Sequence, residues 1–321
     1  MKTLLVITLL LSGILIFYAY LYFSDPTPDK FEIDKELFPY EPHFLSLPNG
    51  GRMHYVDEGQ GPVLLLLHGN PTWSFLYRHM VAELSGQFRV IAPDYPGFGL
   101  STAGNGYKYT PAEHARAINL LMTTLDLQEV IIMVQDWGGP IGFKAALENP
   151  ERVAGFIIGN TWAWPLERRG QKGFSILMGG WPGQFGAWCC NMVVRFFLWK
   201  GIAGKLNQRE LAMYLGPFAK RESRLPTHLF PAQLRGAHEF LADIHRQLPS
   251  LADRPVLLTW GLQDFAFQEP ERTRFEKLFP RHQTLLLEKA GHFIQEDAPT
   301  QISAAIRDWH KHNFPGSHDT H

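Results

Sequence analysis

Between residues 130 and 142 the chain reads VIIMVQDWGGPIG, an aliphatic run that ends on Gln135, Asp136 and Trp137, then two glycines and a helical pattern. That is the layout of a nucleophile elbow. The reactive side chain stands on a tight turn between strand and helix, and small residues behind it let the two backbones approach. Here the reactive position holds the carboxylate of Asp136, which can attack an electrophilic carbon and leave a covalent ester. Pro140 suits the first helical turn, where its missing N–H costs little. The positive end of that helix favours a negative charge and keeps Asp136 ionised. The plainer alternative is an aspartate that merely caps the helix. A serine nucleophile has no candidate. Gly99-Leu100-Ser101-Thr102-Ala103 follows a different apolar run and leads into a glycine-rich loop, and no G-x-S-x-G occurs.

Three further motifs each follow an apolar run. His68-Gly69-Asn70-Pro71-Thr72-Trp73 comes directly after residues 63–67. A loop in this place supplies one backbone N–H to an oxyanion, and the residue after the nucleophile, Trp137, supplies another. His68 reads as a residue that shapes the loop. Trp260-Gly261-Leu262-Gln263-Asp264 ends the run 256–260, and Ala290-Gly291-His292-Phe293 follows the run 284–288. A histidine at the second place can reach the elbow, and a carboxylate at the first can orient it. The chain order is nucleophile, acid, histidine.

These motifs need a scaffold that brings several strand ends together. The runs 63–67, 89–92, 130–134, 153–158, 256–260 and 284–288 are short and mostly aliphatic. Runs apolar on both faces predict a buried, largely parallel sheet. Residues 43–47 and 52–56 predict a hairpin around Pro48-Asn49-Gly50-Gly51. Helical patterns such as 111–125 and 299–312 separate the runs, and the alternation implies an α/β layered fold. It breaks between about 162 and 248, where no strand pattern occurs and aromatic and helix-forming residues abound. That stretch is read as an inserted helical cap. Trp162, Trp164, Trp181, Trp188, Trp199 and several Phe residues of this stretch are read mostly as its core, with a minority lining an apolar pocket against the sheet.

The 321 residues are 45% hydrophobic, enough for a large core, and 30 Lys and Arg balance 31 Asp and Glu. That balance argues against nucleic acid as a partner and fits a small apolar substrate. The two cysteines, Cys189 and Cys190, are adjacent, a geometry that opposes a disulfide. No Cys/His cluster has zinc-ligand spacing. Residues 3–23 carry no charge and are long enough, at about 1.5 Å per residue, to cross a bilayer's ~30 Å hydrocarbon core. Tyr18, Tyr20 and Tyr22 suit its interface, and tyrosines stand where a cleaved leader has small residues. The domain reading is therefore a transmembrane anchor over 1–23 and a linker over 24–39. A first core part over 40–161, a cap over 162–248, a second core part over 249–313 and a polar tail over 314–321 follow. Lys2 before the span and Asp25 and Asp29 after it place the body outside the cytoplasm.

The stretches HGNPTWSFLYR (68–78), DYPGFGLS (94–101), VQDWGGPIGF (134–143), WGLQDFAF (260–267) and KAGHFIQED (289–297) resemble the haloalkane dehalogenases of the α/β-hydrolase superfamily. The resemblance covers residues 40–312. It implies a mostly parallel eight-stranded sheet with a helical cap after the sixth strand. It also implies that Asp136 is the nucleophile, His292 the base and Asp264 the acid. The indole of Trp137 and the side chain of Asn70 would hold the halide, and their backbone N–H groups the oxyanion. One large branch carries its acid after the sixth strand. Here that place is Asn160, which moves the acid to Asp264 and resembles the family's third subgroup. That subgroup includes β-lactone (cis-3-alkyl-4-alkyloxetan-2-one) decarboxylases. Dehalogenation is the first expectation. Lactone decarboxylation and epoxide hydrolysis are the alternatives, the last requiring a cap tyrosine for which Tyr214 is the candidate. None of these reactions requires a metal or an organic cofactor. The sequence assigns no oligomeric state.

Overall fold

Aliphatic strands without a polar face are stable only in the middle of a sheet covered on both sides. The computed structural model, which describes residues 22–315 together with 12, 13, 15, 16, 19 and 20, shows that arrangement. The strands are β1 (His43–Ser46), β2 (Arg52–Glu58), β3 (Val63–Leu67), β4 (Arg89–Pro93), β5 (Val130–Asp136), β6 (Val153–Thr161), β7 (Val256–Gly261) and β8 (His282–Leu287). They form one eight-stranded sheet in the order β1-β2-β4-β3-β5-β6-β7-β8. From β4 onward neighbours run parallel, whereas the pairs β1/β2 and β2/β4 are antiparallel, so the sheet is mixed. Every residue of β5 and of β7 is buried. Strands β5 and β6 run beyond their aliphatic stretches into Gln135 and Asp136, and into Asn160 and Thr161. These polar ends are buried too, and each is hydrogen-bonded there.

Between β6 and β7 the chain forms helices at Arg169–Gly179, Trp181–Cys190, Met192–Gly201, Gln208–Leu215, Leu225–Gly236 and His238–Gln247, with no strand among the described residues. Trp162 and Trp164 are buried as expected, but Trp181, Trp188 and Trp199 are exposed. The reason is helical spacing. The helix Trp181–Cys190 buries Gly183, Gly186, Ala187 and Cys190, three and four residues apart, and so turns Trp181, Gln184 and Trp188 outward. Cys189 and Cys190 are buried free thiols.

Residues 24–39 do not hang free of the body. Phe38 is buried against Trp73 and Phe75, Phe31 meets Trp73 edge-on, and Asp34 pairs with Arg209 at 2.7 Å. The charge-free stretch 3–23 falls mostly outside the described residues, as does the tail beyond residue 315. Among the described residues no helix is long and apolar enough to cross a membrane.

Candidate active site

Asp136 is the last residue of β5, and the helix Gly138–Glu148 starts two residues on. A turn this tight forces Asp136 to a φ of +49°, in the left-handed region that costs a non-glycine residue energy. The Thr161 hydroxyl donates to the Asp136 carbonyl at 2.5 Å and ties the turn to the end of β6. Small neighbours are required here. A Cβ on Gly69 would strike the Asp136 side chain, and one on Gly138 would strike the Leu67 carbonyl.

The Asp136 carboxylate accepts the backbone N–H of Asn70 on Oδ1 at 2.8 Å and is also held by the backbone N–H of Trp137. Its other oxygen, Oδ2, lies 3.7 Å from His292 Nε2. Burial raises the Asp136 carboxyl above its ordinary range, opposed by the His292 charge and by these two N–H groups. His292 follows β8 and is fully buried. Its Nδ1 lies 3.0 Å from Asp264 Oδ2, a contact that fixes the ring. Burial alone would lower the His292 value. The charge and hydrogen bond of Asp264, with the charge of Asp136, outweigh it and raise the value above the ordinary histidine range. The structure therefore brings together Asp136, Asp264, His292, Asn70 and Trp137 at the ends of β5, β7, β8 and β3.

Three partners were not anticipated. Gln135, the residue before the nucleophile, places Nε2 3.1 Å from both His292 Nε2 and the His292 carbonyl oxygen. Asn160, anticipated as a vacated acid position, donates from Nδ2 to Asp264 Oδ2 at 2.8 Å while its Oδ1 accepts the Gly261 N–H at 2.8 Å. The Ala266 N–H closes the set on Asp264 Oδ1 at 2.7 Å. The available signal for Gln135 and Asn160 is a polar residue in an aliphatic run, at the end where the motif residues gather. His68 shapes its loop: Nε2 accepts the Tyr95 N–H at 3.1 Å, and burial lowers its value to about 4, so it is neutral.

A cavity of about 380 Å³ lies between these strand ends and the helices that follow β6. Asn70, Asp136 and Trp137 form its floor, and Phe174, Phe197, Pro231, Leu234, Phe265 and Phe267 line its walls. None of the tryptophans between 162 and 248 is among its lining residues. The Asn70 amide nitrogen donates one hydrogen to the Thr227 carbonyl at 3.1 Å, and an amide nitrogen carries a second. The indole N–H of Trp137 has no acceptor among the described residues. Tyr214 lies elsewhere: buried, packed on Phe75, with its hydroxyl on the Glu296 carboxylate.

Comparison with known proteins places this geometry. A family profile described as the alpha/beta hydrolase fold matches residues 62–299. Haloalkane dehalogenase 2 of Mycobacterium tuberculosis is 41% identical over 278 residues, 86% of this chain and 97% of that protein. The cis-3-alkyl-4-alkyloxetan-2-one decarboxylase of Shewanella oneidensis is 31% identical over 84% of this chain and 88% of its own length. The crystal structure of haloalkane dehalogenase DbeA from Bradyrhizobium elkani USDA94 superposes with a TM-score of 0.78 at 26% identity, covering 85% of this chain and 98% of that one. At this identity and coverage, the chain belongs to the haloalkane dehalogenase family of the α/β-hydrolase superfamily.

Proposed function

We propose that the chain hydrolyses haloalkanes to alcohol and halide through an ester on Asp136. The observation that carries this reading is the Trp137 indole: an N–H without an acceptor, on the floor of an apolar cavity beside a carboxylate. Asp136 Oδ2 attacks the carbon, and the halide leaves toward the indole N–H and the second amide hydrogen of Asn70. These donors stand where charge develops, so they favour the transition state over the bound substrate. His292 Nε2 then takes a proton from water, which adds to the ester carbonyl. Oδ1 becomes an oxyanion already held by the backbone N–H groups of Asn70 and Trp137. Asp264 holds the proton on Nδ1 and stabilises the imidazolium. The oxyanion then collapses, the bond between the carbonyl carbon and the alkylated oxygen breaks, the imidazolium returns its proton to the departing alkoxide, and the alcohol leaves with Asp136 restored as a carboxylate. In this reading residues 162–248 act as the cap, and the charge-free stretch 3–23 anchors the body to a membrane, outside the cytoplasm.

A second reading, β-lactone decarboxylation, is supported by the relative at 31% identity. The cavity's apolar walls suit either substrate. Epoxide opening finds no support, because Tyr214 is engaged by Glu296 away from the cavity. Bromide release from 1-bromobutane and 1-bromohexane, measured beside loss of a cis-dialkyl β-lactone, separates the two. Bromide should also quench tryptophan fluorescence, and Trp137→Phe should remove that part of the quenching. A lactone kcat/KM higher by orders of magnitude would make the enzyme a decarboxylase. Absence of both bromide release and quenching would overturn the proposal. Anchoring is tested by fractionation: after high-salt and carbonate washes the full chain stays with membranes.

A further inference from the structure

Trp181 is 69% exposed and Trp199 77%, although large aromatic side chains are ordinarily buried. Trp181 and Trp188 belong to one aromatic patch, and Trp199 stands on the next helix, against Phe196. Trp181 stacks on Phe185, whose ring centroid lies 6.5 Å from that of Trp188, and Arg221 lies over the Trp188 ring at 4.3 Å. Arg221 also reaches the hydroxyl of Tyr22, at the end of the charge-free stretch. One residue pair further, Arg195 donates to the Ser24 carbonyl, and Trp199 follows Arg195 by one helical turn. Tyr22 and Ser24 are therefore held beside these aromatic residues, at the end of the charge-free stretch.

The charge on the same segment is one-sided. Residues 168–209 contain seven Lys and Arg and no Asp or Glu, in a chain whose totals, 30 Lys and Arg against 31 Asp and Glu, nearly cancel. Arg168 and Arg209 pair with acids from other segments, while Lys172, Lys200 and Lys205 remain on the exposed surface. Exposed tryptophans interleaved with cations fit the interface of an anionic phospholipid bilayer: the rings lie at headgroup level and each cation adds attraction.

Two exposed residues, Arg168 and Gly170, reach the cavity lining. Arg168, Gly170 and Gln171 line it at the start of the helix Arg169–Gly179. On that helix Gly170, Gly173 and Leu177 are exposed on one face, and the next helix opens with Trp181. We propose that the helices within residues 169–201 seat the protein on an anionic bilayer through Trp181, Trp188 and Trp199, so that the cavity takes lipophilic substrates dissolved in the lipid. The seating rests on residues 3–23 being an anchor, and the substrate class rests on the hydrolase reading above.

The full chain reconstituted in phosphatidylcholine vesicles, with and without phosphatidylglycerol, tests both parts. Lipids brominated on their acyl chains should quench tryptophan fluorescence, more strongly in anionic vesicles. The combined Trp181→Ser, Trp188→Ser and Trp199→Ser variant should lose most of that quenching. In the same vesicles this variant should release bromide from 1-bromobutane within about twofold of the parent but from 1-bromohexadecane about tenfold more slowly, because only the latter must enter from lipid. Equal quenching in parent and variant, or cross-linking that shows a second copy covering Trp181, overturns the seating. Equal losses on both substrates overturn the lipid route. If the parent releases bromide from neither, the hydrolase reading fails while the quenching still decides the seating.

Discussion

Gln135 Nε2 lies 3.1 Å from His292 Nε2 and equally 3.1 Å from the His292 carbonyl oxygen. A carbonyl oxygen only accepts, so the amide must present its nitrogen, and its second hydrogen then points at Nε2. Nε2 is thereby held as an acceptor while Nδ1 faces the Asp264 carboxylate. Gln135 thus favours the neutral ring in the tautomer that the proposed general base needs, and in that reading acts through His292 as a positioning residue.

Replacing it should show in a pH profile. Gln135 stabilises the neutral form, which lowers the His292 value relative to the same site without it. Gln135→Met should move the acid limb of kcat to higher pH and reduce kcat at the optimum roughly 5- to 10-fold, the worth of about one hydrogen bond. A limb that stays in place would reduce Gln135 to packing.

His292 should titrate differently before and after the first chemical step. Its resting value is raised in part by the charge of Asp136. Esterification removes that charge, so the value falls and the ring is neutral over a wider pH range when a base is needed. Asp136→Asn mimics the uncharged state and should lower the His292 titration followed by NMR. The acid limb of kcat, set by the ester state when hydrolysis limits turnover, should lie below the titration of the resting enzyme. A rise in the Asp136→Asn variant would contradict this electrostatic account.

The two halves of the reaction should separate by mutation. Asp136→Asn should cut turnover by at least about 1000-fold with no adduct, since no ester forms. His292→Ala should cut turnover comparably but accumulate the ester, visible by mass spectrometry as protein heavier by the alkyl group. Normal turnover in the His292 variant would reassign the base.

The packing of residues 31–38 should be measurable as stability. Phe38 is buried with ring centroids 5.1 Å from Tyr40 and 5.2 Å from Trp73. Phe38→Ala should lower the unfolding free energy by about 3–5 kcal/mol, as for other buried phenylalanines, and leave kcat unchanged in the folded fraction. A loss under about 1 kcal/mol, the level of a surface substitution, would show that this segment carries no load in the fold.

The sequence by itself determined the sheet and singled out the five candidate site residues at its strand ends, and the reason is local. Aliphatic runs such as β3, β5 and β7 state their own burial, and Asp136, Asp264 and His292 each stand just past a run, where glycines mark a turn. What only the tertiary structure decided involves partners far apart in the chain. Whether Asn160 is idle or a donor depends on Asp264, 104 residues away, and the hydrogen bond to His292 Nε2 comes from Gln135, 157 residues away. The outward turn of Trp181 and Trp188 was hidden because burial on the helix Trp181–Cys190 follows its small residues, Gly183, Gly186 and Ala187, which let neighbouring helices approach. Hydrophobicity ranks a tryptophan above a glycine for the core. Close packing put the glycines inside and left the tryptophans facing out.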